Sequence, residues 1–182
     1  TTCCDHMENV SGNPNLTIEC IQRSLKKAEK ALGKLPNKLY IQMDNCFREN
    51  KNSFVCNWLG TLVERGLFPG GIYVSFLPVG HTHNEMDQVA SRVSVAVRRK
   101  TILTRQDMYG IIRSCFGQSL HIETIRNVAD TKTYLNRDGN VNWTNSPFKR
   151  MHAINDYQHF RISMEMFAGG QQALTMRTQH TC

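Results

Sequence analysis

The sequence predicts an α/β fold, with parallel strands flanked by helices and a small C-terminal β appendage. Three observations predict it. Apolar residues at spacings of three and four alternate along the chain with short apolar runs of strand length. Strand followed by helix followed by strand calls for parallel pairing through crossover connections. Beyond Gly117 the helical spacing gives way to glycine-punctuated short runs, which divides the chain into a core at 1–116 and an extension at 117–182.

Residues 16–32 carry Ile18, Ile21, Leu25, Ala28 and Leu32 on one side, with Arg23, Lys26, Lys27 and Lys30 elsewhere on the wheel. This is an amphipathic helix, begun at Asn13-Pro14 or Asn15 and ended at Gly33. The strand 39-LYIQM-43 runs straight into Asp44. A second helix begins near Asn52 or Ser53, buries Phe54, Val55, Trp58, Leu59, Leu62 and Val63, and stops at Gly66. The run 72-IYVSFL-77 is apolar at nearly every position, as in a strand covered on both faces. The next helix has Met86, Val89, Ala90, Val93 and Val97 as its stripe, and a shorter one from Thr104 to about Phe116 opens on the capping pair Thr104 and Asp107. In the extension, 159-HFRISMEM-166 and 173-ALTMRT-178 read as antiparallel strands.

With 182 residues, 40% of them hydrophobic, the chain can build a core without metal or disulfides. Its seven cysteines are odd in number and form no C-x-x-C pair, which predicts reduced thiols in an intracellular protein. No apolar stretch approaches the ~18 residues of a membrane span and no charged-then-apolar leader is present, so no membrane partner is expected. A chain that opens on Thr-Thr-Cys-Cys is expected to be an excerpt of a longer one. The net charge of +7 suits a polyanion, and Arg98, Arg99, Lys100 and Arg105 gather at one helix end. A solvated helix end accommodates the same four residues, because cations there complement the helix dipole.

In open α/β sheets ligands gather at the carboxyl ends of strands. Asp44 stands at one such end and 80-GHTHNEMD-87 at the next, so two acid-bearing loops are candidates for one site. Glu85 has the spacing to close a capping box on Thr82. Asp87 lies beside the buried stripe, one helical turn from His83. A divalent cation held by Asp44, Asp87, His81 and His83, or a His–Asp pair that only orients the helix, would each use this arrangement. Asn50, Lys51 and Asn52, at the start of the second helix, are candidates to hold phosphates or merely to begin that helix.

The motifs 41-IQMDN-45, 49-ENKN-52 and 80-GHTHNEMD-87, with 159-HFRI-162, carry a resemblance. Over about Thr17 to Arg177 the chain resembles the RNase H-like fold of DDE-type transposases and retroviral-type integrases, and more closely a eukaryotic transposon-derived group of integrase-core domains. The resemblance implies a three-layer fold with Asp44 as the second catalytic acid and Asp87 as the third. It also implies Mg2+ or Mn2+ as a two-metal cofactor, DNA as partner and a nuclear location; a homo-oligomer is compatible with it. The first acid would lie on an earlier three-stranded hairpin. Fourteen residues before the first helix are too few for that hairpin, so those strands are expected outside this chain, or Asp5 serves in an altered geometry.

Two readings from other classes stand beside it. The GHTH loop is similar to the histidine loop of metallophosphoesterase-like hydrolases, although D-x-H, G-D-x-x-D and G-N-H-[DE] do not occur earlier in the chain. A domesticated, non-catalytic nucleic-acid-binding module would retain the fold and the basic surface without the chemistry.

Overall fold

In the computed structural model, which describes residues 2–7, 10–77, 85–116, 120–131, 133 and 154–179, the elements in chain order are β1 (Thr2–His6), α1 (Pro14–Leu32), β2 (Leu39–Met43), α2 (Ser53–Glu64), β3 (Ile72–Phe76), α3 (Glu85–Arg98), α4 (Arg105–Phe116), β4 (His121–Ile125), β5 (His159–Met166) and β6 (Gln172–Gln179). The described residues are thus mixed α/β, with four helices and one parallel and one mixed sheet. They fall into two compact units: Ser11–Pro78 with Val128–Cys182, and Thr1–Val10 with Val79–Asn127.

In the first of these units, Asn13 caps α1 by accepting from the backbone N–H groups of Asn15 at 2.9 Å and Leu16 at 3.3 Å, while Pro14 brings no N–H to satisfy. The helix stops at Gly33, whose φ of 77° is the left-handed turn that a residue with a Cβ resists. The sheet order is β2-β3-β5-β6. β2 and β3 are parallel, Leu39 opposite Ile72 and Met43 opposite Phe76, and β5 then runs antiparallel to β3, and β6 to β5. One sheet face supplies Ile72, Val74, Phe76, Phe160 and Ile162 to a core shared with Val55, Trp58, Leu59 and Val63 of α2 and Ile18 of α1. Each such side chain contributes about 1.5–3 kcal/mol of burial. Gly71 permits β5 to approach the start of β3, since a Cβ there would stand 2.9 Å from the Ile162 carbonyl oxygen.

Two features of this sheet differ from expectation. Burial along β3 alternates: Ile72, Val74 and Phe76 are buried, whereas Tyr73 and Ser75 are half-buried, so the strand is not covered alike on both faces. The physical reason is that Tyr73 stacks on Tyr40 of β2, rings 4.9 Å apart and 18° from parallel, and the pair needs no covering layer to shield its inner faces. The C-terminal strands are antiparallel as expected, but they continue the sheet instead of forming an appendage. β5 satisfies the backbone groups on the free edge of β3, with Val74 opposite Phe160.

In the second unit β1 and β4 pair in parallel, from Thr2 opposite His121 to His6 opposite Ile125, and α3 packs on α4. The predicted box at the start of α4 is present: Thr104 N–H donates to Asp107 Oδ2 at 2.8 Å, and Asp107 N–H donates back to Thr104 Oγ1 at 3.1 Å. The Thr104 hydroxyl foremost, then the N–H groups of Thr104 and Leu103, all donating to this carboxylate, hold the Asp107 carboxyl below its usual range. Among the described residues no helix is long and apolar enough to cross a membrane, and all six described cysteines are free thiols.

Candidate functional site

Asp44 follows the last residue of β2 and its carboxylate is exposed. The loop behind it winds around one carbonyl: the N–H groups of Glu49, Asn50 and Lys51 all donate to Cys46 O, at 3.3, 2.8 and 3.0 Å. That winding brings the Asn50 side chain back to the strand end. Asn50 Nδ2 donates to Asp44 Oδ1 at 2.5 Å, and the Cys46 N–H donates to the same oxygen at 3.0 Å. Asn50 is itself held, because Thr17 in the first turn of α1 donates from its hydroxyl to Asn50 Oδ1 at 2.8 Å. One loop therefore fixes the carboxylate through two neutral donors, both on Oδ1, and α1 steadies one of them. Hydrogen bonds from amides orient a carboxylate without cancelling its charge, and this is the support a cation ligand needs.

The flanks of the loop point inward. Asn52 caps α2, accepting from Phe54 N–H at 3.1 Å and Val55 N–H at 3.0 Å, and donates to Phe47 O at 3.2 Å. Lys51, expected as a phosphate contact, is only 1% exposed, with its ammonium 5.4 Å from the centroid of the Phe76 ring. Burial lowers its pKa, partly opposed by the negative charge of Asp156. Cys56, one turn into α2, is fully buried, and burial pushes its thiol up to about 12, so it is no nucleophile at neutral pH.

His81 and His83 lie outside the described residues, as do Thr82 and the side chains of Glu85 and Asp87; the backbone of Asp87 belongs to the first turn of α3. Among the described residues no group of three His, Cys, Asp or Glu side chains is placed to hold a metal ion. The donor type at Asp44, a hard carboxylate oxygen, fits Mg2+ or Mn2+ as one ligand of a larger set.

The four basic residues part company. Arg98 ends α3, and Arg99 and Lys100 continue its last turn, donating their N–H groups to Ala96 O and Val97 O. All three are exposed. Arg105 instead places its guanidinium 2.5 Å from Asp5 Oδ2, which also accepts from the Tyr109 hydroxyl at 2.7 Å. Asn50, a candidate from the sequence to hold phosphate or begin the helix, instead supports Asp44, and Thr17 carries no signal of its own in the sequence. The signal available was an asparagine in the polar loop that leads from Asp44 to the next helix.

No curated protein matches this chain, and no solved structure matches it either. The match that does emerge is to a family model spanning residues 2–180, nearly the whole sequence, and by it the chain belongs to the domain-of-unknown-function family DUF7869.

Proposed function

We propose that the chain is a transposase- or integrase-like core of RNase H-like type that acts on DNA phosphodiester bonds by two-metal chemistry. The observation that carries the reading is the setting of Asp44: exposed, at the carboxyl end of a parallel strand, and oriented on one oxygen by Asn50 and the Cys46 N–H. A structural turn aspartate needs only the backbone bond. The Thr17–Asn50–Asp44 relay adds a side-chain support that a turn does not require.

In this reading Asp44 and Asp87 are the second and third catalytic acids, with His81 and His83 as further candidate ligands of Mg2+ or Mn2+. When bound, the metal pair supplies activation of the attacking water and stabilisation of the leaving oxygen. Asn50 and Thr17 hold the Asp44 carboxylate in one rotamer for that purpose. Arg98, Arg99 and Lys100 contact the phosphate backbone, with Arg105 reserved for Asp5. Asp5 positions α4 through its bonds to Arg105 and Tyr109 and is not an acid of the site.

The test is Mn2+-dependent nicking of supercoiled DNA by the natural protein that contains this chain. Asp44→Asn keeps the shape and removes the charge, and is expected to lower the rate by about a thousandfold or more, as loss of a ligand essential to the metal chemistry does. DNA binding with no nicking by the unaltered protein, under any divalent cation, would replace the reading with that of a non-catalytic nucleic-acid-binding module.

A further inference from the structure

The second face of the four-stranded sheet carries an arrangement that the proposed chemistry does not use. Register places Tyr40 opposite Tyr73, Tyr73 opposite Arg161, and Arg161 opposite Arg177, so one row crosses all four strands. Tyr40 is 69% exposed although it is stacked on Tyr73. The Arg161 guanidinium carbon lies 5.6 Å from the centroid of the Tyr73 ring, and Lys38 Nζ lies 5.9 Å from it. In the next row Ser75 Oγ and His159 Nδ1 are hydrogen-bonded at 2.9 Å, beside the exposed Gln42. Of these residues Tyr40, Gln42, Tyr73, Ser75 and His159 line an open groove of about 510 Å³. Two polar atoms next to the row have no hydrogen-bond partner among the described residues: Arg161 Nε and the hydroxyl of Ser163, a residue 3% exposed.

We propose that this face is a stacking platform for the unpaired bases of single-stranded DNA. A cross-strand tyrosine pair presents a flat π-face to solvent, and a nucleobase covers it whatever its identity. The cations beside it give the sign a phosphate chain needs. Lys38 and Arg161 both stand over the Tyr73 ring, and of the three cations on the face it is Arg177 that is ion-paired among the described residues, with Glu165 at 2.6 Å. A duplex keeps its bases inside the stack and cannot use such a face; a second copy of the chain would meet Gln42, Ser75 and His159 where the core of a homodimer interface is more apolar. The choice of DNA over RNA rests on the function proposed above. Tyr40 lies on the strand that leads into Asp44, four residues before it, which at about 3.3 Å per residue sets its ring roughly 13 Å along the chain from the acid, a distance a few nucleotides span.

The test is fluorescence anisotropy with labelled oligonucleotides of roughly 12 nucleotides, in EDTA, so that metal chemistry plays no part. The chain is expected to bind single-stranded DNA in preference to duplex. Tyr40→Ala lowers that affinity about tenfold, while Tyr40→Phe retains it. Tyr40→Trp also retains it, and its emission is quenched as the oligonucleotide stacks on the indole. Because binding is read in EDTA, where no nicking occurs, a failure of the catalytic reading and a failure of the platform give different results. Equal affinity of Tyr40→Ala and the unaltered chain, with no quenching in the Tyr40→Trp variant, would overturn the proposal. So would preference for RNA of the same sequence, or a dimer in sedimentation that Tyr40→Ala dissociates.

Discussion

Asp5 and Asp44 are both aspartates of parallel strands, and the chain treats them in opposite ways. Asp5 lies within β1, half-buried, and its Oδ2 takes the guanidinium of Arg105 and the hydroxyl of Tyr109. Tyr109 is 7% exposed and meets Thr124 of β4 at 2.7 Å, so this carboxylate ties a strand pair to a helix. Asp44 lies one residue past β2, exposed, with neutral donors on one oxygen. A carboxylate neutralised by a guanidinium is a structural tie. One that is oriented by amides keeps its charge for something outside the fold.

Beyond the two aspartates themselves, the largest effect that bears on this comparison is expected from Asn50→Ala. Residues that orient a metal ligand typically matter by 10–100-fold. Asn50→Ala should therefore lower Mn2+-dependent nicking by about that factor while the chain remains folded. An unchanged rate would mean that the relay from Thr17 is ordinary loop architecture. Next in size is the structural side. Tyr109→Phe removes the hydroxyl that meets both Asp5 and Thr124 and should cost about 1–2 kcal/mol in urea unfolding, leaving nicking intact. Asp44→Asn, an exposed change that retains an oxygen to accept both hydrogen bonds, should alter stability by no more than about 0.5 kcal/mol. Equal destabilisation by the two would erase the distinction.

The smallest effect concerns pH and the start of the helix that holds Asp5. The Asp107 carboxyl is held low by the Thr104 hydroxyl and by the backbone N–H groups of Thr104 and Leu103. A depressed carboxyl stabilises the fold above the unfolded value of 3.8, and that contribution disappears as pH falls through the lower folded value. Asp107→Asn should therefore shrink the acid-limb slope of stability below about pH 4 and change little at neutrality. A slope the same as that of the unaltered chain would show that the box does not hold the proton off.

Much of this architecture is written locally. Asn13-Pro14 and Gly33 bound α1, Asn52 begins α2, and the runs at 39–43 and 159–166 are strands with those bounds. These signals lie within a few residues of what they specify. β1 and β4 were not foreseen, because Thr-Cys-Cys-Asp-His and His-Ile-Glu-Thr-Ile lack a clean apolar alternation, and each becomes a strand only through a partner distant in sequence. For β3 the period was present but misleading, since a tyrosine counts as apolar whether it faces a core or another tyrosine at a surface.

At the site, the position of Asp44 followed from the strand that precedes it, whereas the fates of the charged residues did not. Lys51 and Arg105 read alike with Arg98 and Lys100 as solvent-facing cations. What separates them is tertiary. Lys51 is directed inward by a loop wound on the Cys46 carbonyl and by the cap at Asn52, and Arg105 finds an acid 100 positions earlier in the sequence.

The most direct test of the claim that Asp44 is a cation ligand is Mn2+ binding to the chain, followed by the loss of the free-ion electron paramagnetic resonance signal. A saturable site is expected that Asp44→Asn weakens at least about tenfold, in line with the loss of a charged ligand, and that Asp5→Asn leaves unchanged because Asp5 is engaged by Arg105 and Tyr109. Mn2+ affinity that survives Asp44→Asn, or that falls with Asp5→Asn instead, would contradict it.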